Sequence, residues 1–177
     1  MTLAQWQIVE HSRQTRLSRG IEDGVILIMD AFIFLQMEHE RIEQQLDEFI
    51  ESFDQMTNEK RFECTSLIFD EIKKHFTHQQ SLLSRSSDDV AEFLTECSKD
   101  QNDIVEAMND LLMSHVDDLN FGTELRKLSK SFDVHLKHYR DKLFVQYREQ
   151  LSTQELRCMD SQVTDWMLGS TPANRFQ

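Results

Sequence analysis

The stretch from Val25 to Phe121 contains neither glycine nor proline. Proline lacks a backbone N–H and clashes with the turn before it, and glycine costs about 1 kcal/mol relative to alanine inside a helix. A chain that does without both for so long has few places to turn sharply, so its secondary structure is long and uninterrupted. Glu, Gln, Leu, Lys and Arg dominate the same stretch, and the alternating β-branched runs of a sheet are missing. The predicted class is all-α.

Periodicity divides the chain into helices. Ile28, Phe32, Leu35, His39, Ile42, Leu46, Phe49 and Phe53 step by four and three, the spacing that keeps one stripe on a bundle core. This first helix is drawn from about residue 24 to 54. Glu38, Glu40, Arg41, Glu43, Gln44, Gln45, Asp47 and Glu48 are read as its solvated flanks. Met56-Thr57-Asn58 supplies a turn and a cap, and Ile68, Ile72, His75, Gln79 and Leu82 form the second stripe.

SRSSDD at 84–89 reads as a polar loop, followed by Val90, Leu94, Cys97, Gln101, Ile104, Met108, Leu111 and His115. Asn120-Phe121-Gly122-Thr123 is a stop and restart, with glycine as terminator and threonine as cap. The fourth stripe is Leu125, Leu128, Phe132, His135, Tyr139 and Leu143. The expected architecture is an up-down-up-down four-helix bundle over residues 21–157. A segment at 1–20, with Trp6, Arg13, Arg16 and Arg19, and a tail at 158–177, with Trp166 and Pro172, flank it. Either is expected to form a short helix that packs on the bundle or on a partner.

Charge and composition narrow the partners. The chain has 177 residues, which suits one domain, and a net charge of −13. Nucleic acid and anionic membrane surfaces would repel it. The longest apolar stretch, Val25 to Met37, is broken by Asp30 and Gln36 and falls short of the ~20 residues that span a bilayer. The N-terminus lacks the pattern of a secretory signal, so a cytoplasmic location is expected. Cys64, Cys97 and Cys158 have no CxxC spacing and are read as reduced helix residues. No GxSxG or glycine-rich phosphate loop occurs, which removes the support for nucleophilic or phosphate chemistry.

What stands out is histidine inside the stripes. HFTHQQSLL from His75 and HLKHYRDKL from His135 align without a gap as H-[FL]-x-H-[QY]-x-x-x-L. Side chains at i and i+4 lie one turn apart on one helix face, which is how a helix presents two ligands to one ion. The +4 positions hold Gln79 and Tyr139. His39 and Gln101 occupy the corresponding middle of the other two stripes. His78 and His138, at i+3, are substitutes at the stripe edge. His115 lies fourteen residues beyond Gln101, about 21 Å along a helix, too far to join that layer.

With MEHERIEQQLDEF around His39, HFTHQQSLL, HLKHYRDKLF and the trailing LSTQELRCM, the chain resembles the hemerythrin-like (HHE cation-binding) family over roughly residues 25 to 157. That resemblance implies that His39, His75 and His135 sit where the family places iron-ligating histidines. Gln79 and Tyr139 stand where it has bridging carboxylates, and Gln101 where it has the third-helix histidine. Two iron ions repel unless carboxylate or oxo groups lie between them. A mononuclear site for iron or another transition metal is therefore expected rather than a di-iron centre. Tyr139, as a phenolate, is a further ligand for ferric iron. The resemblance implies sensing, storage or handling of a small ligand such as oxygen. Two alternatives stay open: a metal-free bundle that binds a protein partner, a second copy of the chain among them, and an oxidative metalloenzyme, ranked last.

Overall fold

The computed structural model describes residues 29–83, 91–116, 118–140 and 148–169. Its elements are α1 (Ala31–Ser52), a 3-10 turn (Phe53–Gln55), α2 (Asn58–Leu83), α3 (Ala91–Met113), α4 (Phe121–Tyr139) and α5 (Thr153–Met167). Among the described residues there is no strand, and no helix is long and apolar enough to cross a membrane. The segment at 1–20, residues 24–28 of the first helix, the loop at 84–89, Val90, Leu143 and Pro172 lie outside the described residues.

Helix boundaries follow local chemistry. Asp30 is extended, and its carboxylate accepts the amides of Phe32 and Ile33, so α1 begins at Ala31 and the helix expected from residue 24 does not run through Asp30. The residue read as an interruption of an apolar stretch is the cap. Thr57 Oγ1 accepts the amide of Lys60 and starts α2. Ser152 and Glu155 form a reciprocal capping box at the start of α5.

Two expectations at the third turn are corrected. α4 starts at Phe121, so Gly122 and Thr123 lie in its first turn and are not terminator and cap. Gly122 packs beside the Phe53 ring, which stacks on Phe121, and a Cβ there would make ordinary contact at 3.4 Å. His115 lies past the end of α3 and is exposed rather than in the stripe.

The helices close a ring of contacts, α1 on α2, α2 on α3, α3 on α4 and α4 back on α1, and α5 packs on α1. α5 runs continuously through position 158, so the boundary drawn there falls inside one helix. Its buried face is Met159 and Val163. Asp160 accepts the amide of Ala31 at 2.9 Å and Gln162 donates to Ser81 at 2.7 Å. Asp160 and Asp30 together satisfy the first three amides of α1, which have no partner within the helix.

The buried interior has two apolar clusters. The larger holds Leu46, Phe49, Phe69, Met108, Phe121 and Phe132; the smaller holds Phe32, Leu35, Leu82, Cys97, Met159 and Val163. On each of α1 to α4, buried polar residues fall between the two: Glu38 and His39, His75 and Gln79, Gln101, and His135.

Candidate metal centre

All six stripe positions predicted to form the layer are buried. Relative exposure is 5% for His39, 0% for His75 and Gln79, 3% for Gln101, and 1% for His135 and Tyr139. The residue that sequence reasoning missed is Glu38. It is read there as solvated surface, yet it is 7% exposed and sits at the centre of the polar network. α1 contacts α2, α4 and α5, so its buried arc is wider than a single stripe. Glu38 lies three residues after Leu35 and four before Ile42, a spacing that could have marked it for the core.

Glu38 holds two imidazoles. His75 Nδ1 lies 3.0 Å from one carboxylate oxygen and His78 Nδ1 lies 2.8 Å from the other. A carboxylate accepts, so both Nδ1 atoms carry hydrogen. A neutral His75 ring then has its lone pair on Nε2, and that atom lies 2.7 Å from Nε2 of His39. The network therefore assigns the intervening hydrogen to His39 Nε2, which donates.

The protonation states follow from burial. Burial pushes the proton affinity of His75 down, with Glu38 opposing and not reversing it. His39 is held well below the usual imidazole range by burial and then by His75, His135 and Arg140. His135 is lowered to about 4, again by burial first. Burial of Glu38 favours its neutral form, but the hydrogen bonds and charges of His75 and His78 together win, and its carboxyl falls to about 2. The layer at neutral pH is three neutral imidazoles beside one carboxylate.

The remaining predicted residues divide. Gln101 donates to Gln79 at 2.5 Å and accepts from Gln80 at 2.8 Å. Tyr139 stands edge-on to His39, with ring centroids 5.6 Å apart, and 5.8 Å from His135. His78, stacked on Trp166 of α5 at 4.4 Å, supports Glu38 rather than entering the layer. His138 lies 3.4 Å from Asp100 and 3.7 Å from Glu96, at the α3 side. Gln79 Nε2 and His135 Nε2 are buried with no hydrogen-bond partner among the described residues.

The neutral imidazoles are donors of the kind a single transition-metal ion takes rather than a pair, but as they stand they form no site that could hold one. In favour of one ion are the neutral imidazoles, the unpartnered Nε2 of His135, and a carboxylate behind His75, the outer contact that orients ligating histidines. Against a second ion stand the amides and phenol at positions 79, 101 and 139 and the engagement of both Glu38 oxygens. As the side chains stand, no group of three or more His, Cys, Asp or Glu among the described residues is arranged to hold an ion. Nitrogens sharing a tetrahedral ion at ~2.0–2.1 Å are about 3.3 Å apart, so the 2.7 Å pair has to open by about 0.6 Å.

Compared with known proteins, the chain matches no family model, no curated protein and no solved structure.

Proposed function

We propose that this chain is an up-down-up-down four-helix bundle that binds a single transition-metal ion, iron among the candidates, through His39, His75 and His135. Through that ion it would take a small ligand such as oxygen. The observation that carries the reading is the Glu38–His75–His39 chain, in which a buried carboxylate fixes one imidazole so that two Nε2 atoms converge inside the core. The hemerythrin-like resemblance of the four stripes supports the same assignment.

The work of the protein's own residues can be stated atom by atom. Glu38 holds the His75 hydrogen on Nδ1 and leaves Nε2 free to donate electrons. To offer Nε2 to an ion, His39 would carry its single ring hydrogen on Nδ1 instead of Nε2, the other neutral tautomer. His135 brings an Nε2 that has no other partner to lose. Phe76 and Phe132, against the His135 ring, exclude water from that side. The ion itself would supply Lewis acidity and open coordination positions for a small ligand.

A second reading has its own observation. The 2.7 Å His39–His75 contact and the Gln101–Gln79 bond already satisfy much of the layer without an ion. On that reading the bundle is a metal-free interaction module. Cobalt titration of protein stripped of metal separates the two. The metal reading expects visible bands that saturate at one equivalent, and their loss in His75→Ala. Absence of bands, or the same bands in His75→Ala, leaves the metal-free module.

A further inference from the structure

The outer face of α1 presents a stripe to solvent. Ile33, Met37, Glu40, Glu43, Asp47 and Glu51 are all exposed. The stripe is apolar at its start, where Ile33 and Met37, one turn apart, are each 50% exposed, and acidic from Glu40 onward. Arg41 is the only Lys or Arg of α1, and Glu71 of α2 takes it.

An exposed isoleucine is ordinary on a protein surface, and so is an acidic helix flank. What calls for a partner is the order of the two along the helix, because the complementary order occurs once more in the chain. The segment at 1–20 carries Leu3, Trp6 and Val9 first and Arg13, Arg16 and Arg19 after them. Counting from Trp6, its arginines fall at +7, +10 and +13; counting from Ile33, the carboxylates of Glu40, Glu43 and Asp47 fall at +7, +10 and +14. Both sets keep the three-and-four spacing of one helix face.

We propose that the segment at 1–20 packs along this stripe of its own chain, parallel to α1, with Trp6 on Ile33 and Met37 and the three arginines on Glu40, Glu43 and Asp47. The proposal does not depend on a bound ion.

The length of the chain permits it. Gly20 to Met29 has an extended reach of about 30 Å, and Ala31 to Asp47 spans about 24 Å along the helix. Gly20, directly after Arg19, is the residue type that lets a chain turn back. Surface ion pairs are individually weak, and tethering compensates by holding the segment at a high effective concentration. A second copy has no such help, and its net charge of −13 meets another of the same sign. Docked on the stripe, the segment lies over the mouth of a cleft of about 110 Å³ that Gln36, His39, Glu40 and Glu43 line from α1. Lys137 and Arg140 line it from α4 and keep the arginines on the α1 side. The segment thereby covers the approach to His39 from solvent.

Trypsin cuts after arginine, so cleavage at Arg13, Arg16 and Arg19 reports how often the segment is free. In the full chain at low salt these cuts are expected about tenfold slower than in a synthetic peptide of residues 1–24. Glu40→Gln with Glu43→Gln and Asp47→Asn is expected to remove most of that protection at low salt, and the difference from wild type closes as salt rises. Ile33→Ser with Met37→Ser is expected to speed the cuts at every salt concentration. Glu106→Gln with Asp110→Asn, exposed carboxylates of α3, is expected to leave the wild-type rate. Circular dichroism establishes that each variant is folded. Cuts in wild type as fast as in the peptide, or protection that the triple variant keeps or the α3 variant loses, would overturn the proposal. Protection that fades on dilution would assign the stripe to the segment of a second copy and overturn it as well.

Discussion

The two parts of this interior obey different rules. Toward Phe49 and Phe132 the core is apolar, held by burial and by ring contacts such as Phe53 on Phe121 at 5.6 Å. One turn away, the polar layer contains directed bonds that run from His78 through Glu38 and His75 to His39, with Trp166 stacked on His78. An apolar contact is non-directional and tolerates another side chain of similar volume. A buried polar group does not, because an orphaned partner retains its full desolvation cost. The apolar part therefore supplies stability that tolerates substitution, and the layer supplies stability that depends on each partner being kept.

That contrast ranks the expected effects of perturbation. Phe132→Ala, at a fully buried site, is expected to lose about 3–5 kcal/mol in denaturant unfolding, the largest single loss. A loss under about 1 kcal/mol would show that the large cluster is not the main source of stability.

Acid should act on the layer and not on the apolar part. His39, His75 and His135 bind protons less well folded than unfolded, so the unfolded chain is protonated first. Their contribution to stability is complete above the ordinary imidazole value of 6.5 and declines as pH falls. For His135 the decline runs to about 4, on the order of 3 kcal/mol. Glu38, at about 2 against 4.5, adds a loss of the same sign between those values. Metal-free protein should therefore weaken steadily below about pH 6.5, and Phe49→Ala, in the apolar cluster where the Phe49 ring packs on Phe53, should show the same slope from a lower start. A flat profile between pH 6.5 and 4 would mean that the imidazoles are not buried in solution.

Glu38→Ala leaves the Nδ1 hydrogens of His75 and His78 without their acceptor and is expected to cost about 1–3 kcal/mol. A double-mutant cycle with His78→Ala should show coupling of at least ~0.5 kcal/mol. Additive losses would place the two residues in separate environments. The smallest effect concerns α5: Asp160→Ala removes the acceptor of the Ala31 amide and is expected to cost about 1 kcal/mol, without change in the pH slope. A changed slope would show that α5 controls the layer's burial as well as its docking.

Much of this was legible in the sequence, and the misses have physical causes. The stripes placed His39, His75, Gln79, Gln101, His135 and Tyr139 in the interior because a helix's period fixes which side chains share a face, and all six are buried. Glu38 was hidden because a four-three stripe admits one residue per turn, whereas α1 is covered by three neighbours. The end of α3 before His115 and the start of α4 at Phe121 escaped because glycine was read as a terminator, whereas Gly122 lies inside the first turn of α4. The docking of Trp166 on His78 pairs residues far apart in the chain, and no local pattern encodes it.

X-ray absorption at the metal edge of protein purified without chelator examines the layer most directly. The account predicts one metal per chain, three imidazole nitrogens at about 2.0–2.1 Å, and no second metal in the scattering. A spectrum with fewer than two imidazoles, or with a metal–metal vector, would contradict it.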